Sequence, residues 1–123
     1  MTQENKELLL KDLYTRLPYG VKVKVKYYDD NWRLLAIYTN GTTYVTRDIG
    51  YPIETYFEDC KPYFRPMSSM TEEEKSMYEG LMIGTDNISY MLDVVDWLNA
   101  HHFDYRGLID KSLALDATGL NIY

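Results

Sequence analysis

Hydrophobic and polar residues alternate with two different periods in the first part of the chain. From residue 4 to residue 17, Leu9, Leu10, Leu13 and Leu17 recur every three or four positions, which predicts an amphipathic helix. From residue 21 to residue 26, valine and lysine alternate strictly, which is the period of a β-strand. Tyr27 and Tyr28 extend this run. The chain is therefore predicted to begin with a helix and to continue into a sheet.

Three further strands are predicted, over residues 32–39, 42–47 and 53–58. Each is preceded by a turn signal: Asp29-Asp30-Asn31, Asn40-Gly41 and Gly50-Tyr51-Pro52. Asn40-Gly41 is typical of a two-residue type I′ turn, in which both central residues have positive φ. Such a turn fixes the register of its hairpin. The predicted pairs are Thr39 with Thr42, Ile37 with Tyr44, Leu35 with Thr46, Tyr38 with Thr43, and Ala36 with Val45.

The second of these strands is largely apolar on both faces. One face carries Trp32, Leu34, Ala36 and Tyr38, and the other carries Leu35 and Ile37. A strand of this kind favours cover on both sides. We therefore expect an antiparallel β-meander, or a small, partly open barrel of four or five strands, with helices outside. Residues 61–66 contain two prolines and predict an extended connector outside the sheet.

Two helices and a packed tail are predicted for the rest of the chain. Thr71 to Glu74 form a capping box, and this helix should end near Glu79, before Gly80. The next helix should begin at Asn87 or Ser89 and end near Ala100. Its apolar arc comprises Ile88, Met91, Leu92, Val94, Val95 and Leu98. The predicted core anchors of the tail are Leu108, Ile109, Leu113 and Leu115. The prediction is a single α+β domain over residues 1–123.

Charge is distributed unevenly along the 123 residues. The net charge is −6, yet residues 1–66 hold ten basic and nine acidic residues, whereas residues 67–123 hold three and ten. An acidic half repels phosphate backbones, so binding of duplex nucleic acid is disfavoured. Cys60 is the only cysteine, so no internal disulfide forms. No stretch approaches the roughly 18 apolar residues of a membrane span, which favours a cytoplasmic protein with no membrane partner.

The lysine strand and its surroundings are the first candidate site. Edge strands often carry lysine to prevent edge-to-edge pairing, and this is the interpretation favoured first for residues 21–26. A small anionic ligand comes second and a polynucleotide third, because three ammonium contacts give a salt slope of only about −2 to −3. The candidate binding residues here are Lys22, Lys24, Lys26, Tyr28, Trp32 and Arg33, with the aromatic rings as stacking platforms.

A second candidate surface lies on the last predicted helix. Tyr90 and Trp97 are seven residues apart, at the edge of the apolar arc, where they would stack. Aromatic residues in such places are frequent at interfaces. The alternative is that both belong to a second packing layer against the tail.

No catalytic or metal constellation emerges from the sequence. His101 and His102 with Asp104 lack a third nitrogen or sulfur ligand, and adjacent residues rarely direct two imidazoles at one ion. Cys60 follows an acidic residue, which does not favour the thiolate. We therefore expect no metal and no cofactor, and a binding role rather than an enzyme.

Two segments resemble a known group of proteins. KPYFRPMSSMTEEE (residues 61–74) and DWLNAHHFDYRGLIDKSLALDA (residues 96–117) are similar to small proteins encoded by Bacteroides-type gut bacteria and their phages or prophages. The helix over residues 4–17, followed by LPYGVKV, fits the same group. The resemblance carries no catalytic residues. It implies an accessory protein of a mobile element, acting by binding to a host protein or to a signalling nucleotide.

These observations lead to one functional expectation and two alternatives. The expectation is a non-enzymatic binding protein of phage or mobile-element type, which engages a host protein or sequesters a small signalling nucleotide. One alternative is a small hydrolase or transferase with an Asp/His cleft. The other is a nucleic-acid-binding accessory protein, with Arg33 or Arg47 beside the lysine row. A homodimer is also possible, if Leu35, Ile37 and Tyr44 form an exposed apolar face.

Overall fold

The computed structural model describes residues 1–29, 31–83 and 87–123 and shows an α+β fold. The helices are α1 (Gln3–Arg16), α2 (Glu72–Met82) and α3 (Ile88–Ala100). The strands are β1 (Lys22–Val25), β2 (Trp32–Ile37), β3 (Thr42–Thr46), β4 (Ile53–Tyr56), β5 (Cys60–Phe64) and β6 (Leu115–Asp116). The predicted α+β class is confirmed, with the N-terminal helix and the two later helices in place. Asp30 of the predicted Asp29-Asp30-Asn31 turn lies outside the described residues.

The sheet is open, and its strands are ordered β4-β3-β2-β1-β5-β6. Strands β1 to β4 form an antiparallel meander, β5 pairs antiparallel with β1, and β6 pairs parallel with β5. The lysine strand β1 therefore has a partner on each side. The edge-strand interpretation of residues 21–26 is wrong, because the later strand β5 returns to cover β1. The lysines are not needed to protect an unpaired edge.

Strand β5 replaces the predicted connector over residues 61–66. Pro62 faces Val23 in the ladder with β1, three positions from Lys26, whose amide donates to the Asp59 carbonyl at 2.9 Å. Hydrogen-bonded and non-bonded pairs alternate along an antiparallel ladder, so Pro62 occupies a non-bonded position. The missing N–H of the proline costs no hydrogen bond to β1. A central strand therefore accommodates a proline here.

The β2–β3 hairpin has a three-residue loop rather than the predicted two-residue turn. The Gly41 amide donates to the Tyr38 carbonyl at 2.9 Å, and Gly41 alone in the loop has positive φ, at 90°. This is a type I turn followed by a left-handed glycine, which shifts the register by one residue. The predicted pairs are therefore wrong. The observed pairs are Ile37 with Thr43, Ala36 with Tyr44, Leu34 with Val45, and Arg33 with Thr46.

A β-bulge at Leu35 changes the faces of β2. The register shifts between Leu34 and Ala36, so Leu35 has no partner on β3 and its side chain is 51% exposed. Beyond the bulge, Ile37 joins Trp32 and Leu34 on the covered face. The prediction that β2 is covered on both faces is therefore wrong. The apolar face expected for a homodimer loses Ile37 as well.

The main core lies on one face of the sheet, beneath α1. Leu9 and Leu13 of α1 pack in one cluster with buried residues of β1, β2, β3 and β5. The predicted tail anchors Leu108 and Leu113 are buried in the same cluster, whereas Ile109 and Leu115 are half-buried. On the opposite face of the sheet, every described side chain is exposed or half-buried. This open face is lined by alternate residues of β1 to β5.

Helix α1 also buries a charged cluster that its amphipathic pattern does not reveal. Asp12 is fully buried and accepts hydrogen bonds from Arg16 at 2.9 Å and from Arg106 at 3.0 Å. The Arg16 guanidinium lies 4.1 Å from the centre of the Phe64 ring. Buried charges need partners of this kind. The cluster joins α1 to the tail and serves the fold.

Helices α2 and α3 enclose a second, smaller core. Met70, Val94, Leu98 and Phe103 are buried there, and Tyr78, Leu81 and Trp97 pack against them. The predicted capping box is confirmed, since Thr71 Oγ1 accepts from the Glu74 amide at 3.1 Å and Glu74 Oε1 accepts from the Thr71 amide at 2.9 Å. Helix α2 continues past Gly80 to Met82. The predicted end near Glu79 is wrong, because one glycine weakens a helix without ending it.

The expected apolar arc of α3 is only partly covered. Val94 and Leu98 are buried, whereas Ile88, Met91 and Leu92 are each at least half exposed. Their burial was predicted and is wrong. An amphipathic pattern shows which face a helix can bury but does not supply the element that covers it. Residues 88–93 of α3 are all exposed, and burial in the helix begins at Val94.

Candidate anion-binding face

Five basic side chains lie on the open face of the sheet and form what we call the lysine face: Lys22, Lys24, Lys26, Arg33 and Lys61. They share one face because successive side chains of a strand point to opposite faces of the sheet, so alternate residues point the same way. In β1, the intervening residues Val23 and Val25 are buried beneath α1. Arg33 joins the lysines because it pairs with Lys22, and Lys61 joins because it pairs with Lys24.

Cations face each other directly across two of the strand pairs. Lys22 lies opposite Arg33 on β2, and Lys24 lies opposite Lys61 on β5. Like charges in directly opposed positions destabilise a sheet. Arg33 has an exposed partner, Asp48, at 3.7 Å. Among the described residues, neither Lys24 nor Lys61 forms an ion pair, so the repulsion between them is not relieved within that part of the chain.

A cavity of about 420 Å³ lies beside this lysine pair. Its lining includes Lys24, Lys26 and Lys61, with Leu115 of β6 supplying apolar surface. Glu58 and Asp59 also line the cavity, and the Glu58 carboxylate is paired with Lys6 at 3.1 Å. Ligand sites commonly have volumes of roughly 300–1,000 Å³ with a few convergent polar groups. The cavity therefore has room for a small molecule beside three ammonium groups.

The aromatic residues predicted as stacking platforms are not all available to a ligand. Trp32 is only 2% exposed, because it alternates with Arg33 and faces the core. Tyr28 is half exposed but packs edge-on against Trp32, with ring centres 5.8 Å apart. Strand β1 ends at Val25, and Tyr27 adopts a positive φ of 73° in a turn, so the predicted extension through Tyr27-Tyr28 is wrong. The lysine face is thus chiefly cationic.

The other predicted aromatic pair, on α3, is separated. Trp97 packs in the second core against Tyr78 and Phe103, with ring centres 6.1 Å and 5.7 Å away. Tyr90 is 52% exposed, and no ring contact joins it to Trp97 among the described residues. The expected stacking of Tyr90 on Trp97 is wrong. Trp97 occupies the packing layer that was the alternative interpretation, whereas Tyr90 remains on the surface.

The side chains that an Asp/His cleft would need make unrelated contacts. His101 Nδ1 lies 2.9 Å from the Trp97 carbonyl, and the His102 ring stacks on Tyr123. Asp104 accepts from the amides of Leu108 and Ile109 and so holds a turn of the tail. The two imidazoles and the Asp104 carboxylate therefore do not form the cluster that a hydrolase or transferase would need. Within the described ranges, no group of three or more His, Cys, Asp and Glu side chains is placed to hold a metal.

Cys60 is buried beneath the lysine face rather than exposed on it. Burial, helped by the neighbouring Asp59 carboxylate, raises the pKa of the Cys60 thiol to about 12. The thiol is therefore protonated at neutral pH, whereas nucleophilic attack requires the thiolate. What the lysine face offers chemically is binding of negative charge.

Another cavity, of about 380 Å³, lies between the start of α2 and the tail. Its arginine, Arg65, forms a two-point pair with Glu74, through contacts of 2.7 Å and 2.5 Å. This contact lowers the pKa of the Glu74 carboxyl to about 2, so the pair stays ionised and neutral overall. The lysine face, where Lys24 and Lys61 form no ion pair with any described residue, is therefore the better anion site.

Two residues of the site, Lys61 and Leu115, were not predicted from the sequence. The signal for Lys61 was present, because Cys60, Pro62 and Phe64 are buried and alternate with Lys61 and Tyr63, as in a strand. The prolines concealed this period. Leu115 belongs to a two-residue strand whose position depends on the pairing of Tyr63 with Leu115. No local pattern indicates such a pairing.

Comparisons with known proteins give no relationship from which a function could be transferred. No protein-family model matches this chain, and no match was found among curated proteins or solved structures. None of the helices in the described ranges has the length and apolar character needed to cross a membrane.

Proposed function

We propose that this protein is a non-enzymatic binding protein whose lysine face holds a small phosphorylated ligand such as a nucleotide. The observation that carries this proposal is the direct opposition of Lys24 and Lys61, beside a cavity, with no ion pair formed by either lysine among the described residues. A phosphate group between the two ammonium groups would replace their repulsion with two charge-assisted hydrogen bonds. Leu115 would contact an apolar part of the same ligand.

The charge of the remaining chain favours a small ligand over a long nucleic acid. Five cations on one sheet face are opposed by a net charge of −6 over the whole chain. A polyanion would extend beyond the lysine face and meet the acidic residues of the C-terminal half. A ligand confined to the cavity would not meet them.

The resemblance to proteins of gut bacteria and their phages extends this proposal to a biological setting. An accessory protein of a mobile element would gain from sequestering a signalling nucleotide of its host. Such a protein needs affinity rather than turnover, and the ammonium groups of the lysine face supply affinity for a phosphate.

Isothermal titration calorimetry against linear and cyclic nucleotides, with inorganic pyrophosphate as the minimal probe, tests the proposal. We expect binding by the unaltered chain and at least a tenfold loss in the double variant Lys24→Gln/Lys61→Gln. The matched control is Lys11→Gln/Lys111→Gln, which removes two exposed lysines and leaves the lysine face intact. Flat heats with every probe, or equal loss in both double variants, would contradict the proposal.

A nucleic-acid-binding accessory is the second candidate, supported by one observation. That hypothesis required Arg33 beside the lysine row, and Arg33 pairs with Lys22. The stacking of bases on aromatic rings is the weaker part of this hypothesis, since Trp32 is buried. Electrophoretic mobility of single-stranded and duplex oligonucleotides at low salt distinguishes the two candidates. A retarded band that is lost with Lys24→Gln/Lys61→Gln would favour nucleic acid, and unchanged mobility leaves the small ligand.

A further inference from the structure

Helix α2 exposes an apolar depression at the margin of the second core, against which its Leu81 also packs. Its floor and sides are formed by Met77, Gly80 and Leu81, with Glu73 and Ser76 at the margin, and its volume is about 510 Å³. These positions are three, four, seven and eight residues apart, so they follow one face of the helix. We call this depression the α2 groove. It lies on the helices and is separate from the lysine face.

Gly80 is unusual within this helix. Glycine in an exposed helix interior is unfavourable relative to alanine. At Gly80, a Cβ atom would meet nothing within 4 Å apart from its chain neighbours and the nearby helix backbone, so packing within the described structure does not require a glycine there. A glycine with open space above it permits a second backbone to approach closely. The groove exists because this one side chain is missing.

The first turns of α3 also expose apolar side chains. Ile88, Met91 and Leu92 are each at least half exposed, as is Met77 on α2. Methionine is flexible and polarisable, and it is over-represented where a surface must adapt to a helical partner. Large exposed apolar surfaces of this kind mark binding sites in soluble proteins.

The charges around the groove specify the partner. Exposed acidic residues of α2 and α3 include Glu73, Glu79 and Asp93. The single basic residue in the described parts of the two helices is Lys75, and it is paired with Glu72 at 3.5 Å. An apolar groove bordered by carboxylates is complementary to an amphipathic helix with basic flanks.

We propose that the α2 groove docks a basic amphipathic helix of another protein, with its apolar residues on Met77 and Leu81 and its backbone close to Gly80. A second copy of this chain is a poor occupant, because it would place carboxylates against carboxylates. An anionic membrane surface is repelled for the same reason. No described residue lines both the α2 groove and the cavity of the lysine face. Docking of a helix in the groove is therefore independent of ligand binding on the lysine face.

Fluorescence anisotropy with labelled synthetic peptides of about 18 residues, roughly five helical turns, tests this inference on the full chain. One peptide places leucine along one helix face and lysine elsewhere. A second replaces every lysine with glutamate, and a third keeps the leucine and lysine content but scatters the leucines. We expect the first peptide to bind at least tenfold more tightly than either of the others.

Two variants locate the binding. Gly80→Gln fills the groove with a residue that favours helix, and we expect it to raise the unfolding midpoint while weakening the first peptide at least tenfold. Lys11→Gln, on the exposed side of α1, should leave the affinity unchanged. Equal affinity of Gly80→Gln and the unaltered chain would overturn the inference. So would equal binding of the three peptides, or sedimentation showing a dimer that Gly80→Gln dissociates.

Discussion

We expect the protein to lose stability as the pH falls from 6.5 towards 4, because His102 resists protonation in the folded state. Its ring stacks on Tyr123 with ring centres 3.6 Å apart, and its Nδ1 atom is buried without a hydrogen-bond partner. Burial lowers the pKa of His102 to about 4, and the nearby charges of Arg16, His101, Arg65 and Lys22 act in the same direction.

The sign and size of the effect follow from the two pKa values. In the unfolded chain, His102 binds its proton near pH 6.5, whereas the folded chain binds it near pH 4. The stabilisation is therefore complete above pH 6.5 and is lost as the pH falls towards 4. Between about pH 7.5 and about pH 5, linkage gives a loss of about 2 kcal/mol. Because the ring is partly exposed, solvent screening reduces this to about 1 kcal/mol.

Urea unfolding monitored by circular dichroism at the two pH values measures this loss. The informative variant is His102→Asn, since His102 has a positive φ of 62° and asparagine tolerates that conformation. We expect the variant to lose about 1 kcal/mol less than the unaltered chain over this pH interval. His101→Asn leaves the burial of His102 and its stack on Tyr123 in place and removes one of the smaller causes of the lowered pKa, so it should keep most of the pH dependence.

The reasoning would be refuted if His102→Asn showed the same pH dependence as the unaltered chain. Protonation of other groups would then account for the loss. A nuclear magnetic resonance titration of the His102 ring that gave a midpoint above 6.5 would refute it as well, since the folded state would then favour the charged imidazole.

Three substitutions test other parts of the structure. Gly41→Ala should cost about 1–2 kcal/mol in thermal unfolding, because φ is 90° there and a Cβ would lie 2.5 Å from the Tyr56 ring; an unchanged midpoint would contradict the observed hairpin turn. Glu74→Gln should cost about 1 kcal/mol near pH 7 and little near pH 2, where the carboxyl that pairs with Arg65 is itself partly protonated; a cost independent of pH would argue against the pair. Tyr123→Phe should cost about 1–2 kcal/mol in urea unfolding, because its hydroxyl hydrogen bonds to the backbones of β1 and β5; no loss would show that this bridge is unimportant.

Local patterns predicted the elements well, because each rests on a few neighbouring residues. Alternation of valine and lysine correctly placed Val23 and Val25 on the buried side of β1 and the lysines on the other. The capping box at Thr71 and Glu74 gave the start of α2. Such signals depend on hydrogen bonds and side-chain directions that lie within one or two turns of chain.

The pairing of the strands with one another was harder to predict, because it depends on residues that are distant in the chain. Whether β1 is an edge or a central strand depends on Lys61 returning to pair with Lys24, across more than thirty residues of chain. The Asn40-Gly41 signal fits both a two-residue and a three-residue hairpin, and the choice between them moves the register by one. The bulge at Leu35 then determines which face Ile37 joins.

The candidate site was predicted in part for the same reason. Lys22, Lys24, Lys26 and Arg33 were identified and do share one face, because alternation and turn spacing are local. Lys61 completes the site only through long-range pairing. Trp32 was predicted to be a stacking platform, although the alternation along β2 places it on the same face as Leu34, which is the core face. Charge content indicated a binding surface, whereas topology determined its members.

A nuclear magnetic resonance titration of the ¹⁵N-labelled chain with inorganic pyrophosphate tests the lysine face most directly. The account predicts that the largest amide shifts occur at Lys24, Lys61 and Leu115, around the cavity at the β1–β5 pair. Shifts that centre on the cavity beside Arg65, or spectra that do not change at any pyrophosphate concentration, would contradict it.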